Sequence, residues 1–75
     1  MMNMENLDFI GIGKRIREKR EGHKLTQEQL ALAIGITGRY LYDIEKGKSV
    51  MSIDILYKIS KILGVSFNWV LLGKN

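Results

Sequence analysis

The stretch 25–49, LTQEQLALAIGITGRYLYDIEKGKS, decides the fold of this chain, because it predicts two short helices joined by a tight turn. The first helix is predicted over Gln27–Ile34. Thr26 and Gln29 lie three residues apart and form a capping box that marks its start. Gly35 follows its end, where the chain needs a positive φ that glycine adopts without steric cost.

The second helix is predicted over residues 38–46 and is followed by Gly47. Both helices carry an apolar stripe at helical spacing, made by Leu30, Ala31, Ile34, Leu41 and Ile44. Ala31 is small at the point where two steeply crossing helices nearly touch. Two helices in this arrangement form a helix-turn-helix, whose second helix can lie in a DNA major groove.

The flanking sequence predicts three further helices, so the expected fold class is all-α, a compact five-helix domain. These helices are expected from residue 8 or 9 to 21, over 53–63 and over 67–72. The side chains placed to cap them are Asp8, Ser52 and Ser66. Residues 1–8 show no helical period and are expected to form a flexible arm before one domain over 9–75.

Length and charge favour a small domain with an anionic partner. A chain of 75 residues buries only about 60% of the surface that it exposes when unfolded. The net charge is +4, and half of the 12 basic residues lie in one segment, as Lys14, Arg15, Arg17, Lys19, Arg20 and Lys24. Such a cluster is more often a solvated helix face, but beside a helix-turn-helix it favours nucleic acid. Lys14 or Arg15 is expected to add a contact to the DNA backbone.

Residues suited to catalysis or metal binding are scarce. His23 is the only histidine and the chain has no cysteine, so neither a metal site nor an activated nucleophile is expected. Gly11-Ile12-Gly13 lacks a preceding strand, so it is not a dinucleotide-binding loop. We therefore expect no enzymatic activity, cofactor, metal or small-molecule ligand. The lack of cysteine fits a reducing, cytoplasmic location, and no apolar run is long enough to span a membrane.

The resemblance to the phage repressor and Cro-like family, also called the xenobiotic-response-element family, is carried by Leu25–Ala31, Gly35–Thr37 and Ile44–Lys48. It extends over about residues 12–73. The resemblance implies a repressor-like fold and a transcription regulator that binds an operator in double-stranded DNA as a homodimer. A prophage-type repressor is expected, and a controller of a restriction-modification operon or an antitoxin-type autoregulator would have much the same sequence.

The outer face of the second helix predicts the base contacts. With the apolar stripe facing inward, the helical period exposes Gly38, Arg39, Tyr42 and Asp43, at positions where the family contacts bases. Arg39 can pair with both acceptors of a guanine. Asp43 can accept from a cytosine or hold Arg39 by an i,i+4 pair, and the second role, which needs no base, is favoured. Tyr42 can touch a thymine methyl or a phosphate. Gly38 stands where the family often has a longer polar side chain.

Phosphate contacts are predicted at two places. A helix N-terminus offers free amides to an anion, and the resemblance implies a phosphate contact by Gln27 at the start of the first of the two helices. Lys46, Lys48 and Ser49 follow the second helix and are expected to reach the backbone again. The hydroxyl of Tyr40 suits a phosphate, although partial packing in the core is an equal alternative.

The resemblance further implies a partly buried ion pair between Arg20 and Glu45, and self-association near the fifth helix. The residues predicted at the dimer interface are Val65, Trp69, Val70 and Leu72. Ile55 and Ile62 flank the core stripe of the preceding helix and add apolar surface that a small core does not need.

Two functions from other classes compete with DNA binding. A protein-interaction module could keep the fold without binding DNA, but the basic outer face argues against it. A membrane-surface protein could use the basic first helix. That function ranks last, because Ile12 and Ile16 of this helix are needed for the core.

Overall fold

Five helices and their short connections account for residues 7–74, the part of the chain that the computed structural model describes. In chain order they are α1 (Phe9–Gly22), α2 (Gln27–Ile34), α3 (Gly38–Glu45), α4 (Ile53–Leu63) and α5 (Phe67–Leu72). The predicted all-α, five-helix fold class is thus confirmed. None of these five helices is long and apolar enough to cross a membrane.

Each helix begins at a side chain that accepts a hydrogen bond from the amide three residues further on. The five caps are Asp8, Thr26, Thr37, Ser52 and Ser66. At Thr26 the bond is reciprocal, since its own amide donates to the side chain of Gln29 at 2.8 Å. Gly35 takes the expected positive φ of 76°. Local hydrogen bonding therefore sets the boundaries of helices that are too short to be stable alone.

The core lies between α1 and the other four helices. Its fully buried side chains are Ile12, Ile16, Leu30, Ile34, Leu41, Ile44, Ile59, Leu63 and Val70. Val70 was expected at a dimer interface, but its side chain has no exposed surface, so it belongs to the core. Ile55 is likewise buried. Val70 is buried because α5 packs against α1 and α4, which sequence periodicity does not reveal.

A glycine brings α1 against the end of α3. A Cβ atom added at Gly13 would lie 2.4 Å from the carbonyl oxygen of Ile44 and 2.5 Å from that of Glu45. Only a residue without a side chain allows this approach. The contact fixes α3, and hence its outer face, relative to the rest of the domain.

The predicted arm, residues 1–8, falls largely on residues 1–6, which lie outside the described part of the chain. Within that part, Leu7 packs against the core and Asp8 caps α1. All five helices lie between Phe9 and Leu72, and one domain over residues 9–75 stays a prediction.

Candidate nucleic-acid interface

The outer face of α3 carries the predicted base-contacting residues. The side chain of Arg39 is 77% exposed, and its Nε lies 3.3 Å and 3.4 Å from the two carboxylate oxygens of Asp43, one turn further on. Asp43 is itself only 23% exposed. At Gly38 nothing lies within 4 Å of the place where a Cβ would be, so a longer side chain would fit. The face is therefore open, and Asp43 holds one of its cations, Arg39.

Tyr42 lies between two cations on the same face. The guanidinium of Arg39 lies 5.6 Å and the ammonium of Lys46 5.7 Å from the centre of its ring. Both distances are within the range of cation–π attraction. The tyrosine thus holds two long, flexible, positively charged side chains along the exposed side of α3.

An open groove of about 690 Å³ lies beside α3, where α1 and the start of α2 meet it. The residues that line it are Arg17, Arg20, Glu21, Thr26, Gln27, Glu28, Tyr42, Glu45 and Lys46. The capping box satisfies the amides of Thr26 and Gln29. Within residues 7–74, the backbone amides of Gln27 and Glu28 have no acceptor, so they are free to bind an anion in this groove.

A network of hydrogen bonds forms the wall of the groove. Arg20 donates from Nε to Glu45 at 2.7 Å and from Nη2 to its other oxygen at 3.0 Å. That second oxygen also accepts from the side-chain amide of Gln27 at 2.9 Å. Arg20 donates from Nη1 to the carbonyl of Leu25 at 2.7 Å. The ion pair that the resemblance implied is thus present and buried, with side chains 9% and 2% exposed.

The pKa of Arg20 is raised above its ordinary value, chiefly by the hydrogen bond to Glu45. Burial acts in the opposite direction, and the charges of Glu45 and Glu21 add to the increase. The guanidinium therefore stays charged, as the buried carboxylate beside it requires.

Tyr40 does not have the free hydroxyl that a phosphate contact needs. Its hydroxyl donates to the carbonyl of Val50 at 3.0 Å, and its ring packs against the core. A tyrosine has one proton to donate, and a phosphate oxygen only accepts. Tyr40 therefore ties the loop after α3 to the domain, in agreement with the packing alternative.

Three residues that follow α3 were predicted to contact the DNA backbone, and the structure places them in different surroundings. Lys46 lines the groove, whereas Lys48 and Ser49 lie outside its lining. Lys48 is exposed and Ser49 half-buried. The amide of Lys48 donates to the carbonyl of Asp43 at 2.8 Å, which holds this loop against the end of α3.

The basic residues of α1 lie in different surroundings. Arg15, a predicted source of phosphate contact, instead donates to the carbonyls of Val70 and Leu71 at 2.9 and 3.1 Å and caps α5. Arg17 lines the groove, where it was not expected. Its Nε lies 3.4 Å from a carboxylate oxygen of Glu21. Its spacing of three residues from Arg20 was the signal that could have placed it there.

The remaining predicted interface residues lie on or near the surface of α5. Val65 and Trp69 are half-buried, and Leu72 is 44% exposed. The ammonium of Lys19 lies 5.3 Å from the centre of the Trp69 ring. A shallow groove next to Val65 is flanked by the exposed rings of Tyr57 and Phe67. An apolar surface is thus present here, although Val70 does not contribute to it.

Two short helices joined by a tight turn, with an exposed and cationic outer face on the second, define a helix-turn-helix module. A model of the helix-turn-helix family matches residues 16–70, and the chain belongs to that family. The resemblance to repressor and Cro-like proteins is confirmed.

Similar proteins include regulators from phages and bacteria. The ImmF control region 10 kDa protein of Bacillus phage phi105 is 34% identical over 83% of this chain and 69% of its own length. The regulator DicA of Escherichia coli is 39% identical over 85% of this chain, which spans 47% of DicA. The P22 c2 repressor, solved in complex with a synthetic operator, has a TM-score of 0.81 at 27% identity, over 84% of this chain and 96% of that one. This chain therefore spans about half of the length of DicA and about two thirds of the length of the phi105 protein.

Proposed function

We propose that this protein is a sequence-specific, double-stranded DNA-binding transcription regulator of the prophage repressor type, which binds its operator as a homodimer. The observation that supports this function best is the position of the open face of α3 beside the groove at the start of α2. One surface can then read base edges while its neighbour holds a phosphate.

In the proposed complex, α3 lies in the major groove. The guanidinium of Arg39 donates to the two acceptors of a guanine, and Asp43 fixes the direction of that guanidinium. The distance of 3.3 Å between Arg39 Nε and Asp43 Oδ1 in the free protein supports this role of Asp43. The free amides of α2, the side chain of Gln27 and the cations Arg17 and Lys46 hold the adjacent phosphate. Tyr42 supports the two cations that lie within cation–π distance of its ring.

The proposed dimer forms through the apolar surface around α5. Leu72 and Phe67 are exposed apolar side chains of this helix, and Tyr57 extends the surface onto α4. A two-fold axis here must place the two copies of α3 about 34 Å apart, so that they enter successive turns of the major groove. Sedimentation should show a dimer on operator DNA, and a monomer both free and on that DNA would exclude this assembly.

Selection of DNA from a random pool by the purified protein tests the function directly. We expect a two-fold-related consensus of two half-sites. On a panel of singly substituted operators at fixed salt, Arg39→Ala should cost about 1–3 kcal/mol per half-site and relax preference at one base pair. Gln27→Ala should weaken cognate and random duplexes alike, because a phosphate carries no direct sequence information.

Lys58→Ala is the matched control. Lys58 is a half-exposed cation on α4, paired with Asp54 at 3.2 Å and outside the groove, so its loss removes one charge without touching the proposed interface. Uniform weakening by Arg39→Ala would make Arg39 a backbone contact. An affinity for duplex DNA that does not fall with added salt would exclude the proposed interface altogether.

A further inference from the structure

We infer that the buried Arg20–Glu45 pair is a positioning device for the phosphate contact, because it sets which atoms Gln27 presents to the DNA backbone. This inference rests on the proposed function and adds two positioning residues that themselves need not touch DNA. The feature that carries it is the carboxylate oxygen of Glu45 that is shared between Arg20 and Gln27.

The chemistry of the shared oxygen determines the orientation of the glutamine. An ionised carboxylate only accepts hydrogen bonds, so Glu45 must face the NH₂ group of Gln27 and not its oxygen. One N–H of that group is used at 2.9 Å. The second N–H belongs to the same nitrogen, whose one bond within residues 7–74 is the bond to Glu45, so it is free for a phosphate oxygen.

Without Glu45 the glutamine would lose this orientation. An amide whose two ends are similar in shape can turn over, which would present its oxygen, an acceptor, to an anion that also only accepts. A bound phosphate would then lose a donor and meet a repelling partial charge. Glu45 therefore makes Gln27 a dedicated donor.

Arg20 has two effects on the same contact. Its bidentate bond neutralises Glu45, whose uncompensated charge at the edge of the groove would repel a phosphate. Its third bond, to the carbonyl of Leu25, holds the residue that precedes the cap of α2. The guanidinium thus fixes both the side chain of Gln27, through Glu45, and the backbone that leads into the free amides.

A double-mutant cycle on DNA binding tests this coupling. Glu45→Gln replaces the acceptor-only carboxylate by an amide of the same shape that no longer dictates the orientation of Gln27. In the parent protein this change should weaken binding of a random-sequence duplex roughly 2- to 12-fold, the range for one hydrogen bond. In a Gln27→Ala background this loss should be absent, because the change in charge is common to both backgrounds and the cycle isolates the part that acts through Gln27. The measurements are made at one salt concentration and a temperature at which circular dichroism shows every variant folded.

Additive losses from the two substitutions would overturn the inference, because a merely structural role of Glu45 would weaken binding whether or not Gln27 is present. They would leave the proposed function intact, since binding itself is still seen. Failure of the parent protein to bind any duplex would instead overturn the proposed function, and the inference with it.

A measurement on the unaltered protein guards against variants that do not fold. The two side-chain amide protons of Gln27 should differ in nuclear magnetic resonance, with slow solvent exchange for the one bonded to Glu45. On addition of the random-sequence duplex, the other proton should shift and become protected. Two equally fast-exchanging protons, before and after addition, would overturn the inference.

Discussion

Two arginine–carboxylate pairs in this domain have the same chemical groups and opposite environments. Arg20 and Glu45 are paired at 2.7 Å with side chains 9% and 2% exposed. Arg39 and Asp43 are paired at 3.3 Å with side chains 77% and 23% exposed. The first pair joins α1 to α3 across 25 residues of sequence, and the second joins successive turns of α3.

The difference shows how α3 can be fixed to the rest of the domain at one end and still carry an exposed, movable arginine on its outer face. Breaking a buried pair leaves an uncompensated charge, whereas water solvates the partners of an exposed pair and makes its net contribution small. The inner end of α3 is therefore fixed to the domain, while Arg39 can leave Asp43 for a base at little cost.

The raised pKa of Arg20 determines how pH acts on the buried pair. Because the pKa of Arg20 is raised on folding, the stability from its charge is fully present below the pKa of the unfolded chain. It is lost only as the pH rises through the higher pKa of the folded state, in strong alkali. Titration of Arg20 therefore should not change the stability of the domain near neutral pH.

The largest expected effect comes from breaking the buried pair. Glu45→Ala leaves Arg20 buried without its partner and should lower the free energy of unfolding by about 3–5 kcal/mol. That is a large part of the roughly 4–11 kcal/mol expected for a domain of this length. Chemical denaturation measures the loss. The double variant Arg20→Met with Glu45→Leu should recover most of it, and a loss under 1 kcal/mol for Glu45→Ala, about the most an exposed pair provides, would remove the contrast between the pairs.

A smaller loss of stability should follow from moving α1 and α3 apart. Gly13→Ala places a Cβ against the carbonyls of Ile44 and Glu45, so α1 and α3 must separate. We expect the free energy of unfolding to fall by about 1–3 kcal/mol. Gly22→Ala, where the added Cβ meets nothing within 4 Å, should be neutral or stabilising by up to about 1 kcal/mol. Equal effects at the two glycines would show that helix propensity, and not close packing, governs α1.

A variant of Tyr40 tests whether the side of α3 next to the core also takes part in the proposed DNA binding. Tyr40→Phe removes the bond to Val50 and should cost about 0.5 kcal/mol of stability, a low value because the bond is exposed. The affinity for cognate and random duplexes should not change. Thermal denaturation and DNA titrations at one salt concentration measure the two quantities, and an equal loss of affinity for both duplexes would return Tyr40 to the phosphate contacts.

The smallest effect on folding is expected for the exposed pair. Asp43→Asn should change the free energy of unfolding by less than about 0.5 kcal/mol, the usual value for an i,i+4 pair on a helix surface. The same variant should alter DNA preference, either weakly at the base pair read by Arg39 or at a different one if Asp43 reads a cytosine. Denaturation and the operator panel together test this, and a destabilisation above 1 kcal/mol would show that the pair is structural after all.

The predicted helices agree with the observed ones because their signals are local. Thr26 and Gln29 reach each other within one turn, and the positive φ of Gly35 follows directly from the need to end α2. The outer face of α3 could also be predicted, since the period of the helix fixes it once Leu41 and Ile44 are known to be buried. Thr37 was the one cap that local pattern did not single out, although it has the same geometry as the others.

The sequence by itself determined the five helices, four of their five caps and the presence of a helix-turn-helix, because these depend on residues within a turn or two of one another. Only the tertiary structure decided which cations are bonded within the fold, as Arg15 and Arg20 are, and which stay exposed for the proposed DNA contact, as Arg39 does. Arg15 meets Val70 across 55 residues of sequence, and Gln27 meets Glu45 across 18. Similar side chains at neighbouring positions thus acquire different functions, because the packing of helices, and not the local sequence, determines which acceptor each one reaches.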